Sequence, residues 1–365
     1  MVKGKKTGSE IGIVKEIAQK ELLPERSALS TLFLRMDSDY DKGWQALDDV
    51  FSNSTINMVK VKELFDRGVE ITEVYHGEYR PLAIGPKALL ACRTENRALK
   101  ASDRLVLGKA DKNFVEFKDR INPDGKYRFS PKELGACIRR FSLLAKMDIK
   151  GQTDFIVTKV GSNLETTMKA FYTTTEANRY LRSIKRANWE RIIERGASRL
   201  NICARADLAA PGTMLLAFRC DEPVFLAGAY GYNVRGFKHE REEKLFTLWF
   251  NSTLGLIQLM AKSTITRGSW VKLEQFTTEQ VRIPDPAKLT EKQWERIENV
   301  WQEVSGESVD SLMTQLEQGS KVRTKIDIFL LKLLGLDHTE AQANAARLQR
   351  GALAGIQMLL RTMEK

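Results

Sequence analysis

The segment at residues 245–286 constrains the fold of this chain more than any other. Its sequence, LFTLWFNSTLGLIQLMAKSTITRGSWVKLEQFTTEQVRIPDP, opens with an apolar helical pattern that extends from about residue 243 to residue 262. A polar turn follows, then a short strand at residues 270–273, a half-turn, and an exit through Pro284 and Pro286. This order predicts a helix that leads into a short polar strand pair and ends at a domain boundary.

The charge balance bears on the partners of the chain. Its 365 residues include 58 Lys and Arg against 47 Asp and Glu, a net charge of +11. Clustered cations attract phosphates and release their counterions, which favours a polyanionic partner. A basic protein without such a partner is the alternative, because charge alone does not decide between the two.

The potential metal ligands of the Cys and His types are few and scattered. They are Cys92, Cys137, Cys203, Cys220, His76, His239 and His338. Without a CxxC pair, this spacing predicts no zinc site and no metal. Sparse cysteines and the absence of a signal peptide predict a cytoplasmic location. No apolar run reaches the length of a membrane span, so we expect no membrane contact.

The patterns predict an α+β chain, with mixed small sheets followed by a C-terminal helical module. We expect a basic tail and docking helix at 1–28, an α+β domain at 29–150, a second α+β domain at 151–286, and a helical domain at 287–365. In the last domain, helices are expected at 291–304, 308–317, 321–334 and 339–362.

Earlier in the chain, helices are expected at 49–68, with Gly68 as the stop, and at 131–147, with Ser130 as a cap. A long helix is expected at 175–196, and residues 228–236 are interpreted as a glycine-framed loop. The expected strands include residues 155–160, 200–204, 214–219 and 223–227.

A dense polar and basic turn is the first candidate for nucleic-acid contact. Its residues are Thr264, Thr266, Arg267, Ser269, Trp270 and Lys272, and Gly268 permits a tight backbone turn between them. Hydroxyl groups and Arg suit phosphate oxygens and guanine edges. The alternative is that Trp270 is a core residue and Arg267 pairs with a carboxylate.

Two further groups extend this candidate surface. In the loop at 228–236 and its continuation, aromatic, amide and basic groups suited to base edges or backbone come together: Tyr230, Tyr232, Asn233, Arg235 and Lys238. On the helix at 175–196, Arg182, Lys185 and Arg186 share one face at i, i+3 and i+4, as a phosphate-tracking stripe would. An ordinary surface loop and a solvated helix face are the alternatives.

The order of short motifs between residues 251 and 336 resembles the target-recognition region of DNA adenine-N6 methyltransferases and restriction-modification systems. These motifs are NSTLG at 251–255, RGSWVK at 267–272, IPDP at 283–286, and a helix with RTKID at 323–327 and LLGL at 333–336. Asn251 and Ser252 interrupt an apolar helix, and we expect them to be structural. Residues 1–150 resemble nothing we can name.

The resemblance implies a separate specificity subunit. A methyltransferase of that group carries a Gly-rich loop for S-adenosylmethionine and an Asn/Asp-Pro-Pro-aromatic motif for the flipped adenine. This sequence has neither motif, and it has no P-loop and no GxSxG motif. The resemblance therefore implies that this chain binds double-stranded DNA without a cofactor. A catalytic DNA methyltransferase subunit, which binds S-adenosylmethionine, would be its partner in a restriction-modification or phage-defence system.

Two alternatives remain at this point. Asp103 followed by Glu116 and Lys118 has the spacing of a Mg²⁺-dependent nuclease, although such a spacing arises easily by chance in a highly charged chain. The other alternative is a non-catalytic scaffold whose basic surface binds nucleic acid without sequence preference.

Overall fold

A computed structural model describes residues 34–73, 87–93, 103–267 and 269–361. The predicted tail and docking helix at 1–28 lie outside these residues. The helices are α1 (Ser38–Ser52), α2 (Ser162–Phe171), α3 (Thr174–Arg186), α4 (Trp189–Gly196), α5 (Glu240–Asn251), α6 (Thr253–Lys262), α7 (Gln275–Glu279), α8 (Glu291–Val304), α9 (Leu312–Gln318), α10 (Lys321–Leu333) and α11 (His338–Arg361). The strands are β1 (Met58–Lys60), β2 (Glu70–Glu73), β3 (Leu90–Cys92), β4 (Leu105–Ala110), β5 (Val115–Asp119), β6 (Lys126–Phe129), β7 (Leu134–Ile138), β8 (Asp154–Val157), β9 (Ala197–Cys203), β10 (Arg205–Asp207), β11 (Ala217–Leu226), β12 (Gly231–Arg235), β13 (Thr264–Arg267), β14 (Trp270–Lys272) and β15 (Arg282–Pro284).

A ten-stranded mixed sheet forms the centre of the molecule, in the order β2-β12-β9-β11-β7-β8-β3-β4-β5-β6. The pairs β11–β7 and β3–β4 are parallel, and the other neighbours are antiparallel. The α+β class is confirmed. Because β7 lies between β11 and β8, strands from both sides of residue 150 alternate, and the boundary expected there falls within one sheet.

The helix expected at 131–147 is wrong. Ser130 does act as a cap, since its hydroxyl accepts a hydrogen bond from the Lys132 amide and its own amide donates to Glu133 at 2.7 Å. Only a 3₁₀ turn follows, at Pro131–Glu133. The chain then enters β7, where pairing with β8 and β11 satisfies the backbone and buries the apolar side chains that suggested a helix.

Two other expected helices are shorter or broken. The helix expected at 49–68 is instead the end of α1, strand β1 and a 3₁₀ turn, Val61–Arg67, although Gly68 does stop that turn with a φ of 93°. The helix expected at 175–196 divides into α3 and α4 at Asn188, which adopts a left-handed φ of 52°. An Asn tolerates this conformation better than most residues, so the chain turns there.

The C-terminal helices agree with the expectation. α8, α10 and α11 occupy the expected positions within one residue, and α9 is shifted by a few residues. Gly335, with a φ of 112°, ends α10, and the Asp337 carboxylate accepts from the Glu340 amide at 2.8 Å to begin α11. α11 crosses α1 closely, because a Cβ on Gly43 would lie only 3.0 Å from the Gly351 Cα.

The long helix expected from residue 243 divides into α5 and α6 at a buried polar junction. The Asn251 Oδ1 accepts from the Leu216 amide at 2.9 Å, and its Nδ2 donates to the Ala217 carbonyl at 2.7 Å. The Ser252 hydroxyl caps α6 by accepting from the Gly255 amide at 3.1 Å. A Cβ on Gly255 would lie 2.2 Å from the Trp249 carbonyl oxygen. Asn251 and Ser252 are therefore structural, as expected.

The same junction is tied to the C-terminal helices by a buried carboxylate. Asp327 of α10 accepts hydrogen bonds from the Thr253 amide at 2.7 Å, the Thr253 hydroxyl at 2.6 Å and the Gln349 amide group at 2.8 Å. Burial raises the pKa of Asp327 and lowers the pKa of the neighbouring Arg323. Two of the motifs that carried the resemblance, 251–255 and 323–327, thus meet in the core.

Candidate nucleic-acid interface

A three-stranded sheet, β10-β14-β13, carries the expected polar turn. Both strand pairs are antiparallel, with Arg205 opposite Lys272 and Asp207 opposite Trp270. The sheet continues from the end of β9, and the Ala204 carbonyl accepts from the Leu273 amide at 2.9 Å. It is therefore a short extension whose position is fixed by the large sheet.

Exposed aromatic side chains are concentrated around this small sheet. Trp270 is 49% exposed, and Tyr230 and Phe276, which lie on neighbouring segments, are 42% and 39% exposed. Among the described residues, the one other large apolar side chain with comparable exposure is Ile121, after β5. Since large apolar groups are ordinarily buried, exposed aromatic side chains on and next to one small sheet are typical of a binding surface. The interpretation of Trp270 as a core residue is wrong.

Basic groups lie among these aromatic rings. The Arg205 guanidinium lies over the Tyr230 ring, 5.1 Å from its centroid, and Arg205 is exposed. Lys272 is half-buried, and its Nζ lies 2.8 Å from the Glu274 carboxylate. Aromatic faces beside cations suit nucleic acid, because bases stack on the rings while cations contact phosphates. Arg205 and Phe276 were not among the expected site residues, although the alternating pattern of β10 exposes Arg205 in the way a strand of a thin sheet does.

Ser269 has a different role from the expected one. Its side chain is buried, its hydroxyl donates to the Asp207 carboxylate, and its carbonyl accepts from the Leu208 amide at 3.0 Å. These bonds join the β13–β14 hairpin to β10. Ser269 therefore fixes the strand that presents Trp270, and it is not positioned to contact DNA.

A cavity of about 180 Å³ opens between β10 and the segment at 210–215. Arg205, Asp207 and Trp270 line one side, and Phe141 and Cys203 line another. Burial raises the pKa of the Cys203 thiol to about 12, so this group is neutral and adds an apolar wall. The cavity gives the aromatic surface a concave portion with one carboxylate able to accept a hydrogen bond.

Thr264, Thr266 and Arg267 lie in β13, where the structure describes the backbone. Thr264 is opposite Lys272 and Arg267 is opposite Trp270, with an irregularity in the register between residues 265 and 267. Gly268 lies outside the described residues. The DNA contacts expected of these three side chains stay predictions.

The interpretation of residues 228–236 as a loop is wrong, because residues 231–235 form β12. This strand pairs with β2 and β9 inside the large sheet. Tyr232 and Asn233 are each 2% exposed, and burial raises the pKa of the Tyr232 hydroxyl. A buried ring and amide cannot reach a base edge, so these two residues are excluded from the interface.

Asn233 and Arg235 instead cap the C-terminal end of α4. The Asn233 Nδ2 donates to the Gly196 carbonyl at 2.6 Å. The Arg235 guanidinium donates to the Glu194 carbonyl at 3.2 Å and to the Ala197 carbonyl. A cation at a helix C-terminus complements the helix dipole and satisfies carbonyls that lack helical partners. Both side chains act as hydrogen-bond donors, as expected, but their acceptors in the structure are backbone carbonyls at the end of α4.

Lys238 is exposed but lies far from Trp270. Tyr230 precedes β12 and Lys238 follows it, so a strand of about 17 Å separates the two. The Lys238 amide donates to Glu242 at 2.9 Å, which helps to begin α5, and the side chain borders a small cavity with Arg67 and Phe237. The structure thus divides the expected loop residues between the two ends of β12 and its buried middle.

The basic stripe of α3 is present as expected. Arg182, Lys185 and Arg186 are all exposed. The Lys185 Nζ lies 3.1 Å from Glu165 of α2, and the Arg182 Nε donates to the Asn178 carbonyl at 3.2 Å. These residues form a second basic surface on the layer of α2 and α3, separate from the small sheet.

The spacing of Asp103, Glu116 and Lys118 does not form a nuclease site. In the β4–β5 register, Glu116 is opposite Lys109, six residues beyond Asp103, a separation of about 20 Å along the strand. Asp103 pairs with Arg139 and Arg140, and Glu116 pairs with Arg128 at 2.8 Å. No group of three acidic, Cys or His side chains suited to a metal occurs in the part of the chain that the structure describes.

No helix within the described ranges is both long enough and apolar enough to cross a membrane. No family model matches the chain, and no curated protein matches its sequence. Among solved structures, the fold is similar to one described as "Characterization and crystal structure of the type IIG restriction endonuclease BpuSI", with a TM-score of 0.50 and 12% identity. The match covers 86% of this chain and 33% of that chain, so this chain spans about a third of the endonuclease. What the comparison establishes is that this chain shares its fold with part of a type IIG restriction endonuclease.

Proposed function

We propose that this chain is the DNA-binding specificity subunit of a restriction-modification system. It recognises a sequence in duplex DNA and presents it to a separate adenine-N6 methyltransferase subunit that binds S-adenosylmethionine. The observation that carries the proposal is the surface of the β10-β14-β13 sheet, where Trp270, Tyr230 and Arg205 are exposed together. The fold shared with a type IIG restriction endonuclease and the motif order from residue 251 to residue 336 support it.

The chemistry of the surface suits a double helix. Arg205 and Lys272 are opposite each other on the neighbouring strands β10 and β14. Two cations this close together suit contacts to the phosphates of a DNA backbone. Trp270 on the next position of β14 offers a flat apolar face that fits a groove or wedges between base steps. The adjacent carboxylate of Asp207 is an acceptor of the kind that a cytosine amino group donates to.

The membrane has no part in this role, and we propose that the protein works in the cytoplasm, where DNA and S-adenosylmethionine are available. The basic face of α3 provides a second phosphate contact. A non-specific nucleic-acid scaffold is the competing function, since aromatic rings beside cations also suit single strands. Sequence preference on duplex DNA separates the two.

Binding of fluorescent duplexes tests the proposal. We expect selection from a random duplex pool to give one preferred sequence, and Trp270→Ala to weaken its binding by about 10- to 100-fold, equivalent to about 1–3 kcal/mol. Ile121→Ala removes an even more exposed apolar side chain after β5 and serves as the control, with unchanged binding. Equal affinity for every duplex, or a Trp270→Ala variant that binds like the parent, contradicts the proposal.

A methylation assay with labelled S-adenosylmethionine tests the partner. The chain is assayed alone and together with the methyltransferase encoded beside it. Methyl transfer to the preferred duplex only when both chains are present supports a specificity subunit. A chain that neither stimulates that methyltransferase nor co-purifies with it refutes this part of the proposal, while the DNA-binding result stands on its own.

A further inference from the structure

A groove of about 590 Å³ runs between α8 and α10 in the C-terminal helical region and ends at the first residue of α11. It lies on different elements from the small sheet. None of its lining residues belongs to the candidate nucleic-acid interface. Any ligand of the groove is therefore distinct from a ligand of the small sheet.

One wall of the groove is a single face of α10. Lys321, Lys325, Ile328 and Lys332 follow one another at i, i+4, i+7 and i+11, so they form one stripe along the helix. From Lys321 to Lys332 the stripe is about 16 Å long, which is three helical turns. The facing wall comes from α8, where Arg296 and Val300 are one turn apart.

The floor of the groove is apolar. Val300 and Ile328 are half-buried and pack against the core, and Phe329 lies beneath them. An apolar strip between two helices is the surface that an amphipathic helix covers with residues at i, i+3 or i+4, and i+7. A DNA backbone makes no use of such a strip, because its contacts are phosphate and sugar oxygens.

The rim of the groove is positively charged. Arg296, Lys321 and Lys332 form no ion pair within the part of the chain that the structure describes. Lys325 lies 2.5 Å from Glu303, which leaves the rim with an excess of positive charge. Charge complementarity therefore selects a ligand with negative side chains flanking its apolar face.

We propose that this groove binds an acidic amphipathic helix of a partner protein. About three turns of that helix lie between α8 and α10, with apolar residues on Val300, Ile328 and Phe329 and carboxylates at the basic rim. The inference goes beyond DNA recognition and stands independently of it, because the groove and the small sheet share no residue.

Fluorescence anisotropy with designed peptides tests this directly on the full chain. The probe is a labelled 16-residue peptide with Leu at i, i+3, i+4 and i+7 in a background of Glu and Ala. A scrambled peptide of the same composition is its control. We expect saturable binding of the amphipathic peptide and at least tenfold weaker binding of the scrambled one. Protection from hydrogen exchange in α8 and α10 is expected with the amphipathic peptide alone.

Variants locate the site on the protein. The exposed pair Lys321→Glu and Lys332→Glu, introduced together, is expected to weaken the peptide at least tenfold, and so is Ile328→Glu in the floor. Arg347→Glu and Arg350→Glu, introduced together, make the same charge change at exposed positions of α11 outside the groove and are expected to leave binding unchanged. The double Lys variant alters exposed side chains only, so its result holds even if Ile328→Glu perturbs folding.

Three results would overturn the inference. One is equal binding of the amphipathic and scrambled peptides, or no binding of either. Another is protection that appears outside α8 and α10. The third is displacement of the peptide by a duplex whose binding depends on Lys321 and Lys332, which would assign the groove to DNA instead.

Discussion

Strands β12 and β14 carry similar sequences but present them to different surroundings. YNVR in β12 alternates apolar and polar residues, whereas WVK in β14 places an aromatic and a basic residue on one face with Val271 between them. In β12 residues 231–234 are all buried and Arg235 is half-buried. In β14 Trp270 is exposed, Val271 is buried and Lys272 is half-buried. Alternation therefore tells which side chains share a face, and the number of layers around the strand decides whether that face meets solvent.

The largest expected difference between a buried position of the large sheet and an exposed position beside the small sheet is in stability. Tyr232→Ala removes a fully buried ring from the large sheet, and we expect the free energy of unfolding to fall by about 3–5 kcal/mol. Tyr230→Ala removes the same side chain just before the strand, where it is exposed, and we expect a loss of less than about 1 kcal/mol. Urea unfolding followed by circular dichroism measures both values.

Equal losses for the two Tyr variants would show that the ring at position 230 is packed as firmly as the ring at position 232. In that case the contrast between side chains exposed beside the small sheet and side chains buried in the large sheet is wrong. A duplex-binding assay on the same proteins adds the second half of the comparison. Tyr230→Ala is expected to weaken binding, while folded Tyr232→Ala protein binds normally.

The sequence was informative wherever local physics decides the structure. The helices α8 and α10, the cap Ser130, and the structural roles of Asn251 and Ser252 follow from periodicity and hydrogen-bonding chemistry near in sequence. The predictions from sequence were wrong where the local structure depends on pairing with strands distant in sequence. The apolar residues of β7 have a pattern compatible with a helix until β8 and β11 pair with them on either side.

The candidate site shows the same division. Trp270 and Lys272 were expected in it, and the structure places them on an exposed sheet. Asn233 and Arg235 have the chemistry of DNA readers, but their hydrogen bonds go to the end of α4, which is about forty residues earlier in the chain. Arg205 went unnoticed because only the pairing of β10 with β14 brings it beside Lys272. Donor and acceptor types can be predicted from sequence, but their partners require the fold.

Two ion pairs, one with a buried carboxylate and one half-exposed, are expected to differ by an intermediate amount in their contribution to stability. Asp285 is buried after β15 and accepts hydrogen bonds from the Arg67 guanidinium. Burial opposes its ionisation, but the hydrogen bonds from Arg67 and the Ala287 amide, together with the charges of Arg67 and Lys288, outweigh burial and hold the pKa of Asp285 below its usual value. Asp285→Asn is expected to cost about 2 kcal/mol of unfolding free energy at pH 7. Glu274→Gln breaks the half-exposed Lys272 pair and is expected to cost less than about 0.5 kcal/mol.

The sign of the pH dependence follows from the lowered pKa. A carboxyl that ionises more easily in the folded state stabilises it fully above the unfolded pKa of about 4. This contribution is lost as the pH falls through the lower folded value. The difference in stability between the parent and Asp285→Asn should therefore be constant from pH 7 to about pH 5 and shrink below about pH 4. A difference that stays constant down to pH 3 would mean that the Asp285 side chain stabilises the fold without its charge.

The smallest expected effect is on the salt dependence of DNA binding, and it distinguishes cations near the two ends of β12. If Arg205 contacts a phosphate, Arg205→Gln lowers the slope of log binding constant against log salt by about one, with little change in sequence preference. Lys238→Gln removes an exposed cation at the far end of the strand and leaves the slope unchanged. Anisotropy titrations between about 50 and 200 mM salt resolve such a change.

Arg186→Gln on α3 then tests how far the DNA interface extends. A lower slope for Arg205→Gln alone confines DNA to the small sheet, whereas a lower slope for Arg186→Gln as well extends it to the helical layer. If Lys238→Gln lowers the slope and Arg205→Gln does not, the DNA lies at the opposite end of β12 and the exposed aromatics serve another partner.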